Sequence, residues 1–421
     1  MSVSIEKSVL ERPVSALAAP AALPRLAVIA THPIQYYAPL YRSLARSGKV
    51  DLRVFFCSRM GVEAYFDAGF GETFFWKGNL LEGYQHEFLE DGAAESSHDL
   101  ARLDNPSVVS RLGTFRPDCV FIQGYSVKTM RRALYWAERN NVASLLFADS
   151  TFPDHVRFPK SWLKKAVLQF LYGNISGFFY MGDGGRAYHL HYGASAERLF
   201  FCPYTIDEQH FEPFRRERAL TRAQFRAELG LADDDVAFLF CGKLIDRKRA
   251  GDILRAVSQI ADRKTRDRMV LLFCGEGVLR QRLQSEAAAA GLRTHFLGFR
   301  NLDGLPEVYC AADALILPSE REAYGVVLAE AAFFDLPLIV AEGVGAAGPG
   351  SLVRHGENGI VVPVGDTHRL GEAMQALLDP ARRTAMGQRS RALYDLQNTD
   401  ICVRNIIAAI ETVTRRAAQA A

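Results

Sequence analysis

Two doubly wound α/β domains in tandem are what this chain predicts, on three observations. Short runs rich in β-branched and aromatic residues alternate with longer helical patterns along its whole length. Those runs are almost continuously apolar rather than alternating, the mark of parallel strands covered by helices on both faces. The alternation also runs through two series, parted by the stretch Asp207 to Arg218, which is charged and short of strand formers. At 421 residues the chain is long enough for two domains, each with its own core.

The first series places strands at Leu26 to Thr31, Leu52 to Phe56, Cys119 to Ile122, Ser144 to Phe147, Gly177 to Met181 and Leu199 to Cys202. The second places them at Val236 to Cys241, Val270 to Cys274, His295 to Leu297, Ala314 to Leu317, Pro337 to Val340 and Ile360 to Val362. Asn398-Thr399-Asp400 reads as a helix start. Val403, Ile406, Ile407, Ile410 and Val413 then follow at helical spacing. The expected division is a mobile tail over 1–23, a first domain over 24–208, a second over 209–398 and a terminal helix over 399–421. Two such sheets facing each other would offer a ligand the crevice outside their strand carboxyl ends.

Composition narrows the function classes. Hydrophobic content of 49% and charged content of 23% are globular values. A net charge of +2 argues against a nucleic-acid partner, which calls for a dominant basic excess. No apolar run reaches the length of a membrane-spanning helix. The seven cysteines are scattered, odd in number and mostly inside strand-like runs, which reads as core packing in a reducing compartment. The first 23 or so residues, interrupted by Glu6 and Glu11, make a poor signal peptide. The expectation is a cytoplasmic protein.

The most informative run is Pro318 to Glu330. It leaves the apolar segment Ala314 to Leu317, crosses a polar turn and enters a helix-forming stretch. Glu322 stands at that turn and Glu330 about 12 Å further along if the intervening residues are helical. A helix start with its unpaired N–H groups suits a phosphate or an oxygen-rich sugar. A carboxylate inside the helix suits a vicinal diol. The plain alternative is a capped helix with two solvated glutamates. Gly242-Lys243 follows another strand directly, with Lys248 five residues later. The glycine permits close backbone approach, and the two ammonium groups could neutralise a departing diphosphate. Against that stands a merely solvated basic turn of Lys243, Arg247, Lys248 and Arg249. Asp233-Asp234-Asp235 reads as a turn, and the i, i+2 spacing of His189 and His191 splits their rings across a helix. No metal is expected.

Five blocks in order carry a resemblance. They are Phe240 to Arg249, Leu272 to Gly277, Phe296 to Phe299, the Glu322 to Glu330 segment, and Gly356 to Val362. Together they resemble the retaining nucleotide-sugar glycosyltransferases of family 4, which have the GT-B architecture, most strongly from about residue 200 to 370. The resemblance implies two Rossmann-like domains facing an interdomain cleft, with the terminal helix crossing back to the first domain. It assigns the diphosphate to Lys243 and Lys248, the former standing where relatives usually carry Arg. Gly242 and the loop at Gly275, with the backbone near Phe299, would border the nucleotide. Glu322 would touch the donor sugar with backbone N–H groups near Tyr324 and Gly325, and Glu330 would hold the ribose. It implies no metal and no cofactor, only a nucleotide-sugar donor and a carbohydrate or lipid-linked acceptor.

The first domain is less similar to the family. Thr31 to Tyr36 stands where relatives carry a glycine-rich loop, so His32 and Gln35 would point into the crevice. The residues after Ile122 are Gln123-Gly124-Tyr125-Ser126, without the histidine many relatives have there. Asp149-Ser150-Thr151 is the substitute for acceptor contact, with His155 nearby. The implied activity is retaining hexosyl transfer to a hydroxyl acceptor, in surface polysaccharide or glycolipid assembly. A nucleotide-sugar epimerase on the same fold and a nucleotide-binding scaffold with a degenerate site are the alternatives. The basic amphipathic stretch Lys160 to Leu171 suits an anionic membrane surface. Its simpler reading is an ordinary helix packed by Leu163, Val167 and Phe170. Oligomeric state is not legible.

Overall fold

The computed structural model describes residues 22–67, 72–74, 76, 78–89, 102–151 and 160–420. The expected tail up to residue 21, and His155, lie outside the described residues. All twelve predicted strands form. In the first domain the strands are β1 (Arg25–Ala30), β2 (Asp51–Phe56), β3 (Tyr65–Asp67), β4 (Glu72–Phe74), β5 (Gln85–Phe88), β6 (Cys119–Gln123), β7 (Ala143–Phe147), β8 (Gly177–Tyr180) and β9 (Leu199–Phe201). Seven of them make one parallel sheet in the order β5-β2-β1-β6-β7-β8-β9, and β3 pairs with β4 as an antiparallel hairpin.

The second domain holds β10 (Val236–Cys241), β11 (Met269–Cys274), β12 (Thr294–Gly298), β13 (Ala314–Leu317), β14 (Leu338–Ala341) and β15 (Gly359–Val362). They form a parallel sheet in the order β12-β11-β10-β13-β14-β15. Every residue of β7, β10 and β11 is buried, as unbroken apolar runs require. The strands missed in the sequence are β5 and the hairpin. Gln85-His86-Glu87-Phe88 is an edge strand with exposed polar positions, so no apolar run announces it.

Strand order reverses between β1 and β6 in one sheet and between β10 and β13 in the other. Those switch points are where doubly wound sheets open a crevice. The loops after β1, β10 and β13, which carry Gln35, Lys248 and Glu322, leave from them. One core cluster runs continuously from the inner face of the first sheet, through the terminal helix, to the inner face of the second.

The helix Thr399–Ala420 lies on the first domain, burying Ile406, Ala409, Ile410 and Val413. Asn405 Nδ2 donates to Phe201 O across 2.9 Å. Glu208 ties the two interdomain connections together. Its Oε1 accepts from Tyr394 Oη at 2.7 Å, and from Thr399 N and Oγ1 at 2.9 and 2.8 Å. Asp183 bridges the domains at another edge, donating its N–H to Ser351 Oγ at 3.0 Å and accepting from Gly350 N at 2.7 Å.

One packing expectation is overturned. In the helix Lys160–Gly173 the buried residues are Leu168 and Tyr172, whereas Leu163, Val167 and Phe170 face solvent. At about 100° per residue, positions 163, 167 and 170 fall on the far side from 168 and 172, so the helix cannot bury both sets. Leu168 and Tyr172 pack inward with Ile175 and Phe178, which fixes the rotation.

Candidate active site

The interdomain crevice contains a cavity lined by Gln35, Tyr36 and Trp76 from the first domain and by Gly242, Gly275, Phe299, Val326, Val327 and Glu330, among others, from the second. It holds about 600 Å³ of open space, including the part that runs out to solvent, within the range of small-ligand sites. Its second-domain wall is built from strand ends. Gly275 has φ +149°, and a Cβ there would lie 2.0 Å from Gly242 O, so only glycine lets the turns after β10 and β11 pack together.

The helix Val326–Phe333 begins at Gly325, whose φ of +89° and lack of space for a side chain beside Leu317 both demand glycine. Its first-turn N–H groups, with no intrahelical acceptor, belong to residues at the cavity. About one turn into the same helix, Glu330 is buried against the cavity. Tyr309 Oη donates to Glu330 Oε2 at 2.5 Å. Burial pushes the Glu330 carboxyl up to about 7, with the tyrosine hydrogen bond opposing part of that rise.

Beside the cavity lies a polar cluster. Lys248 Nζ donates to Glu322 Oε2, joining residues 74 positions apart. Arg247 reinforces the contact: its guanidinium lies 3.7 Å from Glu322 Oε2 and donates to Arg321 O at 2.5 Å. The Lys248 ammonium sits 4.0 Å from where a Gly242 Cβ would stand, so it overlies the cavity's glycine turn. Glu322 is held from behind, its N–H donating to Gly343 O at 3.0 Å and its carbonyl accepting from Gly345 N at 2.8 Å.

The first domain completes the cluster through the loop after β7. Thr151 packs against Gly345, so a Cβ there would come within 2.6 Å of Thr151 Cγ2. Asp149, two residues before it, is exposed at its surface. Desolvation by the protein around it pushes its carboxyl up to about 6; a hydrogen bond with Tyr204 lowers it and the Glu322 charge raises it further. Tyr36 senses both carboxylates and lines the cavity, linking the cluster to the pocket.

The sequence-predicted residues fall into three groups. Gln35, Gly242, Gly275, Phe299 and Glu330 line the cavity. Lys248, Glu322 and Asp149 gather beside it. His32, Lys243 and the Tyr324 side chain stand apart from the lining. His32 Nδ1 is hydrogen-bonded with Thr31 Oγ1 at 2.9 Å, and burial drops its pKa to about 4, leaving a neutral imidazole. Tyr324 turns inward, its ring 5.6 Å from that of Tyr204 and its hydroxyl donating to Gln397 Oε1 at 3.3 Å. Only its backbone is near the helix start.

Sequence reasoning missed Trp76, Tyr36, Tyr204 and Tyr309. Trp76 reaches across from the first domain to Phe299, ring centroids 6.1 Å apart. It comes from a region without strand periodicity, so nothing local pointed to it. Tyr309 lies in the buried helix Leu305–Ala311, where its neighbours are apolar and no local pattern sets it apart. Among the described residues, no group of three or more His, Cys, Asp or Glu is placed to hold a metal ion. All seven cysteines are buried thiols outside any disulfide.

Residues 221–393 match the family of glycosyl transferases group 1. The match falls within the second domain. Over 247 residues the chain is 31% identical to the D-inositol 3-phosphate glycosyltransferase of Geodermatophilus obscurus, covering 56% of this chain and 52% of that protein. It is 28% identical to the alpha-D-kanosaminyltransferase of Streptomyces kanamyceticus, covering 47% and 50%. The chain thus spans about half the length of these curated relatives. Among solved structures, HepE of Anabaena in complex with UDP and glucose superposes with a TM-score of 0.67 at 16% identity, covering 92% of this chain and all of that one. The sucrose-phosphate synthase of Thermosynechococcus elongatus superposes at 0.68 and 18% identity, covering 94% and 100%. These likenesses place the whole described chain, both domains of it, in the GT-B fold.

Proposed function

We propose that the two domains together form a retaining glycosyltransferase. It would move a hexosyl group from a nucleoside-diphosphate sugar to a hydroxyl acceptor. The observation that carries this reading is the Lys248–Glu322 contact at the polar edge of an interdomain cavity whose inner end holds Glu330.

The nucleoside occupies the cavity, with its ribose diol donating to Glu330 and its base against the Phe299 and Trp76 side of the lining. The diphosphate follows the glycine turn at Gly242 toward Lys248, with Lys243 on the same turn and the helix start at Val326 opposite. Glu322, already bound to Lys248, meets the sugar. Gln35 Oε1 is buried in the lining with no hydrogen-bond partner, which suits a hydroxyl-rich ligand.

During transfer the C1–O bond to the diphosphate breaks and a C1–O bond to the acceptor forms on the same face. The acceptor's hydroxyl proton passes to the departing phosphate oxygen. Negative charge grows on the diphosphate as the bond stretches, so Lys248 and the helix N–H groups stabilise the transition state beyond the ground state. Asp149 faces this point from the other domain and accepts a hydrogen bond from the incoming hydroxyl. Support for a nucleotide ligand also comes from the similarly folded HepE, seen with UDP.

The test is a screen of nucleoside diphosphates for thermal stabilisation, where a ligand at a hundred times its dissociation constant adds roughly 2.7 kcal/mol. The matching sugar nucleotide is then incubated with and without acceptor hydroxyl compounds. Transfer with retained anomeric configuration supports the reading. Epimerised donor without acceptor would mean an isomerase instead. Binding with neither transfer nor slow donor hydrolysis would mean a scaffold.

A further inference from the structure

Another cavity opens in the second domain, at the end of its parallel sheet that faces away from the cleft. It lies at the amino ends of β13 and β14, beside the helices Arg218–Glu228 and Pro380–Asp395. It holds about 920 Å³ of open space, including the part that runs out to solvent. Arg218, Arg222, Arg383, Asp313, Asp335 and Gln388 are among its lining residues. Close packing fixes one wall: a Cβ at Gly387 would lie 2.1 Å from Asp335 O, so glycine there lets the helix Pro380–Asp395 approach the turn before β14.

The charges around this cavity do not balance. Both oxygens of Asp313 are engaged: Oδ1 accepts from Arg222 at 2.8 Å, and Oδ2 from Arg226 at 3.0 Å and from Ala237 N at 2.8 Å. Asp335 is shared by Arg215 and Arg218, each 3.8 Å away and too far for a hydrogen bond. Arg218 Nε is buried with no hydrogen-bond partner among the described residues. The Arg383 guanidinium donates to Leu377 O at 2.7 Å and has no carboxylate at ion-pair distance among the described residues. Arg268 and Asp379 also act on Arg383, which makes six arginines (215, 218, 222, 226, 268 and 383) against three carboxylates (313, 335 and 379). The nearby pairs Arg216–Glu212 and Arg391–Asp395 are balanced within themselves. Burial disfavours the charge on Arg218 and Arg383 and lowers the pKa of both. A cluster that only latched helices together would pair its cations. Surplus guanidinium groups held partly out of water cost stability until an anion meets them.

We propose that this cavity is a binding site for a small phosphate-bearing molecule, its phosphoryl oxygens taken by Arg218 and Arg383. The planar guanidinium fork matches phosphate oxygens two at a time. A phosphoryl group also brings more than one negative charge, as a surplus of several cations requires, where a lone carboxylate brings one. The helices Arg218–Glu228 and Pro380–Asp395 both begin at residues that line the cavity, so their positive dipole ends add to the same field. The open space exceeds what a bare phosphate fills, and the exposed Gln388 is at hand for polar groups on the rest of the molecule. Lys248 follows β10 at the carboxyl end of the same sheet, so this site is separate from the cleft. The inference goes beyond the transferase reading and does not rest on it.

The test is thermal unfolding of the full chain in inorganic phosphate and in inorganic pyrophosphate, against sodium chloride at matched ionic strength. Pyrophosphate should raise the melting temperature by several degrees in a saturable way, and phosphate by less. Arg383→Gln and Gln388→Glu both alter positions with solvent access, so both variants should fold. Each should weaken the apparent pyrophosphate affinity severalfold. Without anion, Arg383→Gln should melt no lower than the parent, because it removes a like charge from the cluster. Lys248→Ala should keep the pyrophosphate shift relative to its own baseline. No shift beyond the chloride control overturns the proposal. So does an Arg383→Gln variant that melts well below the parent while its pyrophosphate shift stays intact, which would make the cluster a structural latch. A shift lost in Lys248→Ala but kept in Arg383→Gln would place the anion in the cleft, overturning this site while leaving the transferase reading intact.

Discussion

Tyr309 and Glu330 meet across 2.5 Å at the inner end of the interdomain cavity, the phenol donating and the carboxylate accepting. They sit 21 positions apart, on different helices of the second domain. A carboxyl held this deep, with the Tyr309 hydroxyl as its donor among the described residues, is poorly satisfied as an anion. A ribose diol would supply the donors that it lacks.

The first prediction concerns acid. Burial raises the folded pKa of Glu330 to about 7 from an ordinary value of 4.5. The folded protein therefore binds this proton more tightly than the unfolded chain. Its stabilising contribution is full below about 4.5 and is lost as pH rises toward 7, a change on the order of 3 kcal/mol. Glu330→Gln should remove that dependence, so the variant should gain melting temperature over the parent at pH 8 and little at pH 4. A difference between them that does not change with pH would refute the assignment.

Ligand affinity should run the opposite way. A diol needs the ionised carboxylate as acceptor, so nucleotide binding by the parent protein should strengthen as pH rises through about 7. Glu330→Gln should weaken it by about tenfold. Isothermal titration at pH 6 and pH 8 measures both.

Lys248→Ala should lower turnover by about a hundredfold to a thousandfold. Binding of a nucleoside lacking phosphates should barely change. Glu322, left partly buried without its lysine partner, should also destabilise the variant. Equal small effects on turnover and nucleoside binding would contradict the site.

Trp76→Ala should reduce nucleotide affinity by roughly 1–3 kcal/mol, the range for stacking on an aromatic platform. Tryptophan at this position serves the cavity more than the core, so the melting temperature should shift little. Calorimetry of the variant with the stabilising nucleoside diphosphate is the check.

Asp183→Ala removes the carboxylate that accepts from Gly350 N and Ser351 Oγ across the cleft, leaving the backbone N–H of residue 183 on Ser351 Oγ. The domains should then spend more time apart. Solution scattering should show a larger radius of gyration, and donor hydrolysis relative to transfer should rise as water enters. An unchanged scattering profile would remove Asp183 from that role.

The sequence by itself determined the parallel strands and the two-series division, because each strand is a short, unbroken apolar run flanked by turns. It also marked the glycines at 242, 275 and 325, since a backbone with φ above zero restricts the residue type locally. The second-domain cations and acids were legible as motifs for the same reason.

Tertiary structure alone decided which of them meet. Lys248 and Glu322 come together because β10 and β13 are neighbours in the sheet, a pairing set by strand order and by no local pattern. Asp149 faces them only because the loop after β7 packs on Gly345 of the other domain. Trp76 reaches Phe299 for a similar interdomain reason, while Tyr324 turned inward because its ring found Tyr204. Side-chain direction at a cleft depends on the opposite wall, and that wall lies many residues away in the chain.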